Sequence, residues 1–430
     1  MKKPLQISAI DIGSSKITTV IATVGEEDNS IRVVGVASIK SKGIRKSQVV
    51  DIEDAIDATT ESVESAERMA GLSIRGATVS ISGIHISSEN SKGLVAVGNP
   101  DAEITSDDVY RVIEAAKAIP LPTAREILHV IPRYFLVDNQ DGIKDPVGMS
   151  GVRLECEAHL VTGSSVNIKN LNKVTSEIGV DTEGMTFVGL ASAEGSLTET
   201  ERELGVVLID IGGGTTSICV YVEGALTHTS VIPVGAKNIT NDIAIGLRVG
   251  LDTAEAIKRN LAPSQKINKV LDPKNPKSKR ANDEIDLHKL GITDGPKKIS
   301  RKAVGEGIVR PRLNEIFELV KADLHKSGVI GKTPAGLVLT GGGALTYRAP
   351  DSARKILGLQ SRLGIPTGLS GLTDELNSAE YTTVSGLLKL AVKSENKNNS
   401  NSSMRLPRLG NNPFGGIGKK FINFIKSFLP

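Results

Sequence analysis

Apolar and polar positions along the chain fall into a repeated unit. Val206–Ile211 is an apolar run interrupted only by Asp210, the pattern of a strand buried on both faces. Gly212, Gly213 and Gly214 follow, then the hydroxyls of Thr215, Thr216 and Ser217. A second apolar run (Ile218–Val222), a Glu223–Gly224 turn and a third run (Thr227–Val234) complete the unit. Gln6–Val24 repeats the order: apolar strand, Asp-Ile-Gly, small hydroxylated residues, apolar strand. Asp11, Gly13, Ser14, Ser15 and Lys16 stand where Asp210, Gly212, Gly213, Gly214 and Thr215 stand in the other copy. A polar turn (Gly25–Ser30) and the strand Ile31–Ile39 match the third run. A repeat of this length is best explained by duplication of one folding unit.

The remaining elements follow from the same patterning. A helix is expected over Asp51–Ala70, N-capped by Asp51 and ended by Gly71, and then a strand, Ala77–Ser82. The next segment reads as strand Ile84–Val97, helix Thr105–Ala118, and strands Ile127–Val137 and Arg153–Val161. Acidic residues after Thr105 favour the first turn of that helix through its dipole. Ser164–Ile178 reads as a helix, Met185–Leu197 as the link between halves, and Pro233–Ile245 as the start of another helix. Ala262–Lys302 has little hydrophobic period and reads as one long loop. After it come a helix (Ile308–His325), strands Leu337–Thr340 and Ser361–Ile365, and a closing helix (Ser378–Val392). Ser394–Asn412 has the composition of a disordered linker.

Composition narrows the class. With 430 residues the chain can hold two or more cored domains, and a net charge of +3 implies no strong nucleic-acid field. Aromatic content of 3% with no Trp argues against stacking surfaces for single strands. Cys156 and Cys219 share no metal-ligand spacing and read as structural thiols of a reducing cytoplasm. No signal peptide follows Lys2–Lys3, and no apolar run reaches the roughly 18–20 residues of a spanning helix.

The chemistry is concentrated in the glycine turns. Without Cβ atoms, Gly212–Gly214 let backbone amides approach a phosphate, and Lys16 adds charge on the opposite jaw. Asp11 and Asp210, at the strand ends, are placed to orient Mg²⁺ through water. A third cluster, Gly341, Gly342, Gly343 and Ala344, follows the strand Leu337–Thr340 and is expected to open a helix. In this order the three elements resemble the actin, sugar kinase and heat-shock chaperone ATPase superfamily. The resemblance implies an α/β, actin-like two-lobed ATPase fold of duplicated ribonuclease H-like domains. It also implies ATP between the lobes, with adenosine at the third cluster. Gly235, Asn238 and Asp242 resemble the superfamily's phosphate-side residues. Glu255 and Lys258, three apart on one helix face, stand where relatives reach the ribose and base; a surface ion pair is the alternative. Hydrolysing members carry a Glu or Gln at the start of the connection, where Val188–Gly189 stands here and Glu194 comes several residues later. Slow hydrolysis is therefore expected, and no catalytic residue is assigned.

His85–Thr162 departs from the superfamily plan. A generic α+β insertion is one reading of it. Its strings EITSDDVYRVIEAA, REILHVIPRYFLVDNQDGIKDPVGMSGVRLE and HLVTG resemble the extra subdomain of the FtsA family, actin-like proteins of bacterial division. The expected organisation is then a first actin-like domain (1–83 with 164–200 and 370–393), the insert (84–163), a second domain (201–236 with 303–369), a distal subdomain (237–302), a linker (394–413) and a terminal helix (414–430). Family resemblance implies self-association into filaments, other division proteins as partners, and location at the septum on the cytoplasmic side of the membrane. It further implies that the C-terminal peptide of the tubulin-like FtsZ docks on the distal subdomain. Arg301 and Glu306 are the partner residues expected there, beside a lysine-rich loop that also reads as a plain solvated loop.

The tail adds a membrane signal. Ile417, Phe421, Phe424, Ile425 and Phe428 form one apolar stripe, with Lys419, Lys420 and Lys426 opposite. An apolar face beside a basic one suits an anionic bilayer surface, and the segment is too short to span. A helix for a partner's groove and a docked terminal helix are the other readings. Among functions, a pilus-assembly adaptor ATPase, a small-molecule kinase and a chaperone-type ATPase share the cleft. The kinase needs a catalytic carboxylate and the chaperone a peptide-binding domain, neither of which is found.

Overall fold

Each repeat becomes an antiparallel meander in the computed structural model, which describes residues 5–25, 28–98, 103–261, 283–288 and 297–401. The first repeat gives β1 (Leu5–Ile12), β2 (Lys16–Val24) and β3 (Ile31–Lys40), then a small hairpin of β4 (Ile44–Arg45) and β5 (Gln48–Val49). Helix α1 (Ile52–Ala70) begins at Asp51, whose carboxylate accepts from the Glu53 and Asp54 amides, and ends at Gly71 with φ 65°. Strand β6 (Gly76–Ile81) then returns parallel to β1.

The insert holds β7 (Ser87–Ala96), α2 (Ser106–Lys117), β8 (Arg125–Val137), β9 (Gln140–Ile143) and β10 (Arg153–Ser164), in the sheet order β7-β10-β8-β9. Thr105 and Asp108 form a reciprocal capping box at the start of α2. Two details differ from expectation. Strand β7 starts at Ser87 rather than Ile84, and β9 pairs with β8 although its sequence, QDGI, has no strand pattern. Pairing across a turn held by Asp138 and Asn139, both at positive φ, supplies the order that propensity does not.

The chain returns through α3 (Ser165–Glu177), β11 (Asp181–Phe187), α4 (Val188–Ser196) and α5 (Glu199–Leu204). The second repeat gives β12 (Val206–Ile211), β13 (Thr216–Val222) and β14 (Ala225–Ile232), followed by α6 (Ala236–Leu247) and α7 (Leu251–Leu261). Next come β15 (Glu284–Asp286), β16 (Lys298–Ser300), α8 (Arg301–Val304), a π-helical turn (Gly305–Val309) and α9 (Arg310–Lys326). Strand β17 (Leu337–Thr340), a 3₁₀ turn (Gly342–Leu345), α10 (Ala349–Leu357), β18 (Ser361–Leu363), β19 (Leu369–Gly371), a second 3₁₀ turn (Ala379–Tyr381) and α11 (Thr382–Asn401) complete the body.

Corrections here have physical causes. The 262–302 stretch is not all loop, because β15 and β16 pair antiparallel and bury Ile285 and Ile299, one apolar residue per strand. One such residue in a basic segment is too little for a periodic signal. The third glycine cluster opens a 3₁₀ turn, and the α-helix starts only at Ala349. Helix α11 continues to Asn401 through residues whose composition suggests a linker. Extending a formed helix adds a hydrogen bond per residue without a new nucleus, so polar residues can follow a buried stretch. Linker positions from 402 onward and the stripe Ile417–Phe428 lie outside the described residues.

Two sheets share one plan. Their orders are β11-β6-β1-β2-β3-β19 and β18-β17-β12-β13-β14, a central strand flanked by its hairpin on one side and parallel strands on the other. Alternation along β12 sends Val207, Ile209 and Ile211 to a core shared with α6, α7 and α9, and Val206 and Leu208 to the core facing the first domain. On the first sheet, α1 and α3 cover one face. Leu387 and Leu388 of α11 cover the other. Cys156 and Cys219 are free and buried, as expected of packing thiols.

Candidate functional site

The duplicated hairpins close in the same way. The Gly13 amide donates to the Lys16 carbonyl at 3.1 Å, and the Gly212 amide to the Thr215 carbonyl at 2.9 Å. Asp11 pairs in register with Thr18, and Asp210 with Ser217. The equivalences read from sequence are thus equivalences of backbone geometry. The two tips face one another: a Cβ at Gly213 would lie 2.9 Å from the Ser15 Cβ, so this close approach needs glycine. Ser14, Ser15, Gly213 and Gly214 come together here.

Two residues that sequence patterning missed bridge the tips. Ser47, in the β4–β5 turn, donates its amide to Ser14 Oγ (2.7 Å), and its hydroxyl lies 3.0 Å from Thr215 Oγ1. Both Lys46 and Ser47 have positive φ (50° and 58°), a costly backbone that clusters at functional sites. Lys237 Nζ donates to the Ser14 carbonyl at 2.6 Å. Two-residue strands carry no periodicity, which is why the turn was not legible.

At the hairpin bases sit the two aspartates. Asp210 is buried, accepts from Ser192 Oγ and Thr383 Oγ1, and its carboxyl is pushed up to about 6, first by loss of water and then by the nearby Asp11 charge. Asp11 accepts from Ser80 Oγ at 2.7 Å, and desolvation raises its carboxyl against the lowering effects of Ser80 and Lys16. Thr216 spends its hydroxyl on the Val234 carbonyl.

The third cluster is docked against the same centre. Gly341, at φ 80°, donates its amide to the Ala379 carbonyl, and a Cβ there would meet the Ile211 carbonyl at 2.6 Å. Gly343 packs on Ile211, and Ala344 is buried in the second-domain core, so its methyl serves packing. Lys16 reaches this side of the cleft. Its ammonium is 2.9 Å from Glu380 Oε2 and 3.6 Å from the Tyr381 ring centroid.

The other expected site residues have partners within the chain. Gly235 abuts the Gly212 and Gly213 carbonyls, which accept from the Ala236 and Lys237 amides. Asn238 turns back to the Gly235 amide, and Asp242 forms a two-pronged pair with Arg312 at 2.6 and 2.9 Å. Glu255 and Lys258 form a part-buried pair rather than an open surface one. Lys258 is buried and bonds Glu255 (2.7 Å) and Thr240 (2.9 Å) beneath α6. Arg301 donates to the Asn260 and Leu261 carbonyls at the end of α7, and Glu306 pairs with Arg310 and Arg348.

Comparison with known proteins identifies the family. Residues 83–162 match the family model "SHS2 domain inserted in FTSA", and residues 207–386 match "Cell division protein FtsA". The chain is 39% identical to cell division protein FtsA of Pseudomonas aeruginosa over 90% of each chain. Against the Escherichia coli K12 protein of that name it is 35% identical, again over 90% of each. Among solved structures, a PilM-PilN type IV pilus biogenesis complex is similar at TM-score 0.62 and 14% identity, covering 91% of this chain and 99% of that one. MreB 5 of Spiroplasma citri bound to AMPPNP is similar at TM-score 0.52 and 15% identity, covering 93% and 99%. Those two likenesses show the fold, an actin-like one, and the family model marks an SHS2 insert within it. With duplicated hairpins, the insert and whole-chain identity all in agreement, this chain belongs to the FtsA family of cell division proteins.

Proposed function

We propose that this chain is an ATP-binding, actin-like division protein that assembles with its own copies and tethers FtsZ filaments to the cytoplasmic face of the membrane at the septum, where later division proteins join. The observation that carries the ATP reading is the tip-to-tip meeting of two glycine hairpins with a carboxylate at each base. MreB 5, of the same fold, is described bound to AMPPNP and to ADP. The residues fit a nucleotide with a divalent cation. Ser14, Ser15, Gly213, Gly214 and Thr215 meet where the two tips adjoin, and the Gly341–Gly343 turn packs on Ile211 beside Asp210. Among the described residues no three His, Cys, Asp or Glu side chains converge, so the chain offers Mg²⁺ two carboxylates, Asp11 and Asp210, acting through water. The bound cation would supply positive charge to the phosphates and favour ionised Asp210.

Slow turnover is part of the proposal. Val188 and Gly189 open α4, and Glu194 is held by Arg202 (3.1 Å) and Lys393 (2.8 Å), away from the task of orienting water. For partners, Arg301 and Glu306 would contact an acidic FtsZ C-terminal peptide at a surface that also carries Arg310 and Arg348. Family membership favours this reading over a pilus adaptor or a small-molecule kinase. The test combines Mg²⁺-dependent ATP titration, ATP-dependent pelleting of the full chain, and turnover. The expected outcome is binding and pelleting with turnover far below the roughly 10 s⁻¹ typical of enzymes. Failure to bind ATP at millimolar concentration would sink the reading.

A further inference from the structure

We infer that Glu380 sets the affinity of the cleft for nucleoside polyphosphates by competing with phosphate for the ammonium of Lys16. This inference rests on the nucleotide reading above and names a residue which that reading does not use.

Lys16 is the single lysine at the first hairpin tip and the charge expected to meet a phosphate chain. Its Nζ is held at 2.9 Å by Glu380 Oε2 and lies 3.6 Å from the Tyr381 ring centroid. Both partners belong to the 3₁₀ turn Ala379–Tyr381, which is tied to the third glycine cluster by the Gly341 amide and Thr340 hydroxyl on the Ala379 carbonyl. Glu380 flanks that cluster directly, its Cβ 3.8 Å from where a Cβ on Gly342 would stand. The pair therefore crosses the cleft between the hairpin expected to hold phosphate and the turn expected to hold adenosine.

A carboxylate at that position acts against an anionic ligand. Any phosphate near Lys16 meets an ammonium already neutralised by Glu380, and it must share or displace that partner. Both side chains are partly exposed, at 23% and 31%, so the exchange is between ordinary half-solvated charges. Half-solvated pairs are worth up to about 1 kcal/mol, which corresponds to roughly three- to five-fold in affinity. The effect should grow with phosphate charge and be absent for a neutral nucleoside.

The experiment measures dissociation constants of ATP, ADP and adenosine for the full chain, Glu380→Gln, Lys16→Gln and the double variant, with Mg²⁺ present. Thermal unfolding of each checks that the fold is kept. Glu380→Gln should bind ATP roughly three- to five-fold tighter, ADP less so, and adenosine unchanged. In the Lys16→Gln background the same substitution should bring no gain. Unchanged or weaker ATP binding by Glu380→Gln, while the parent chain binds ATP, overturns the competition. So does a gain that persists without Lys16, which would make Glu380 a through-space repeller instead. If neither the parent nor Glu380→Gln binds ATP, the nucleotide reading itself falls, and this inference with it.

Discussion

Asp210 bears the clearest electrostatic cost at the site. Its carboxyl is raised from 3.8 to about 6, so the folded chain holds this proton more tightly than the unfolded one does. Well below pH 3.8 both states are protonated and nothing is lost. As pH rises through 4 to 6 the burial penalty accrues, reaching about 3 kcal/mol above the folded value. Asp210→Asn, measured by urea unfolding without nucleotide or divalent cation, should therefore gain about 2–3 kcal/mol at pH 8 and almost nothing at about pH 3. The hydroxyls of Ser192 and Thr383 can serve the amide, since each both donates and accepts. A loss of stability at pH 8 would refute the assignment. The same variant should bind ATP with little response to Mg²⁺. The positions of both aspartates were legible in the sequence, as strand ends before glycine. Their supports, Ser80, Ser192 and Thr383, were not, because each comes from a different, distant element.

At the scale of elements, what could be read was whatever depends on local hydrogen bonding. The cap at Asp51 satisfies two amides of α1, and the stop at Gly71 takes the left-handed turn. Asp51→Ala should cost about 1 kcal/mol and lower the thermal midpoint without altering ATP affinity, which a melting curve and a titration would check together. No change in midpoint would mean that tertiary packing alone sets the start of α1. Elements ordered by pairing were illegible. Strands β4 and β5 have two residues each, yet their turn carries Ser47 to both glycine hairpins. Strands β15 and β16 hold one buried isoleucine apiece, and the end of α11 follows from the helix before it.

Across the whole molecule, the insert packs on the second domain through a polar seam. Ser88 Oγ donates to the Thr229 carbonyl (2.7 Å), and His159 Nε2 lies 3.1 Å from Thr229 Oγ1. Burial lowers the His159 ring to about 3, so it stays neutral and the seam does not titrate near neutrality. Attachment to a membrane belongs to this scale as well. No described helix is long and apolar enough to cross one, and the proposed attachment is through the terminal segment. A weak amphipathic anchor gains from many copies on one filament. ATP-dependent co-sedimentation with anionic liposomes should be seen for the intact chain and lost for a version ending at Asn412. Retained binding by the shorter chain would move the membrane contact to the body.

By itself the sequence determined the duplicated plan, the pairing of Asp11 with Asp210, the glycines that permit close approach and the identity of the insert. These are encoded in runs of neighbouring residues, where period and backbone freedom act locally. Only the tertiary structure decided which groups share the cleft. Glu380 lies 364 positions from Lys16 and Ser47 lies 168 from Thr215, yet folding brings each pair within hydrogen-bond reach. It also pairs Asp242 with Arg312 and Glu255 with Lys258, partners that sequence spacing gave only for the second pair. Charge and hydroxyl content can be read along a chain, but which charge neutralises which depends on contacts that the fold alone creates.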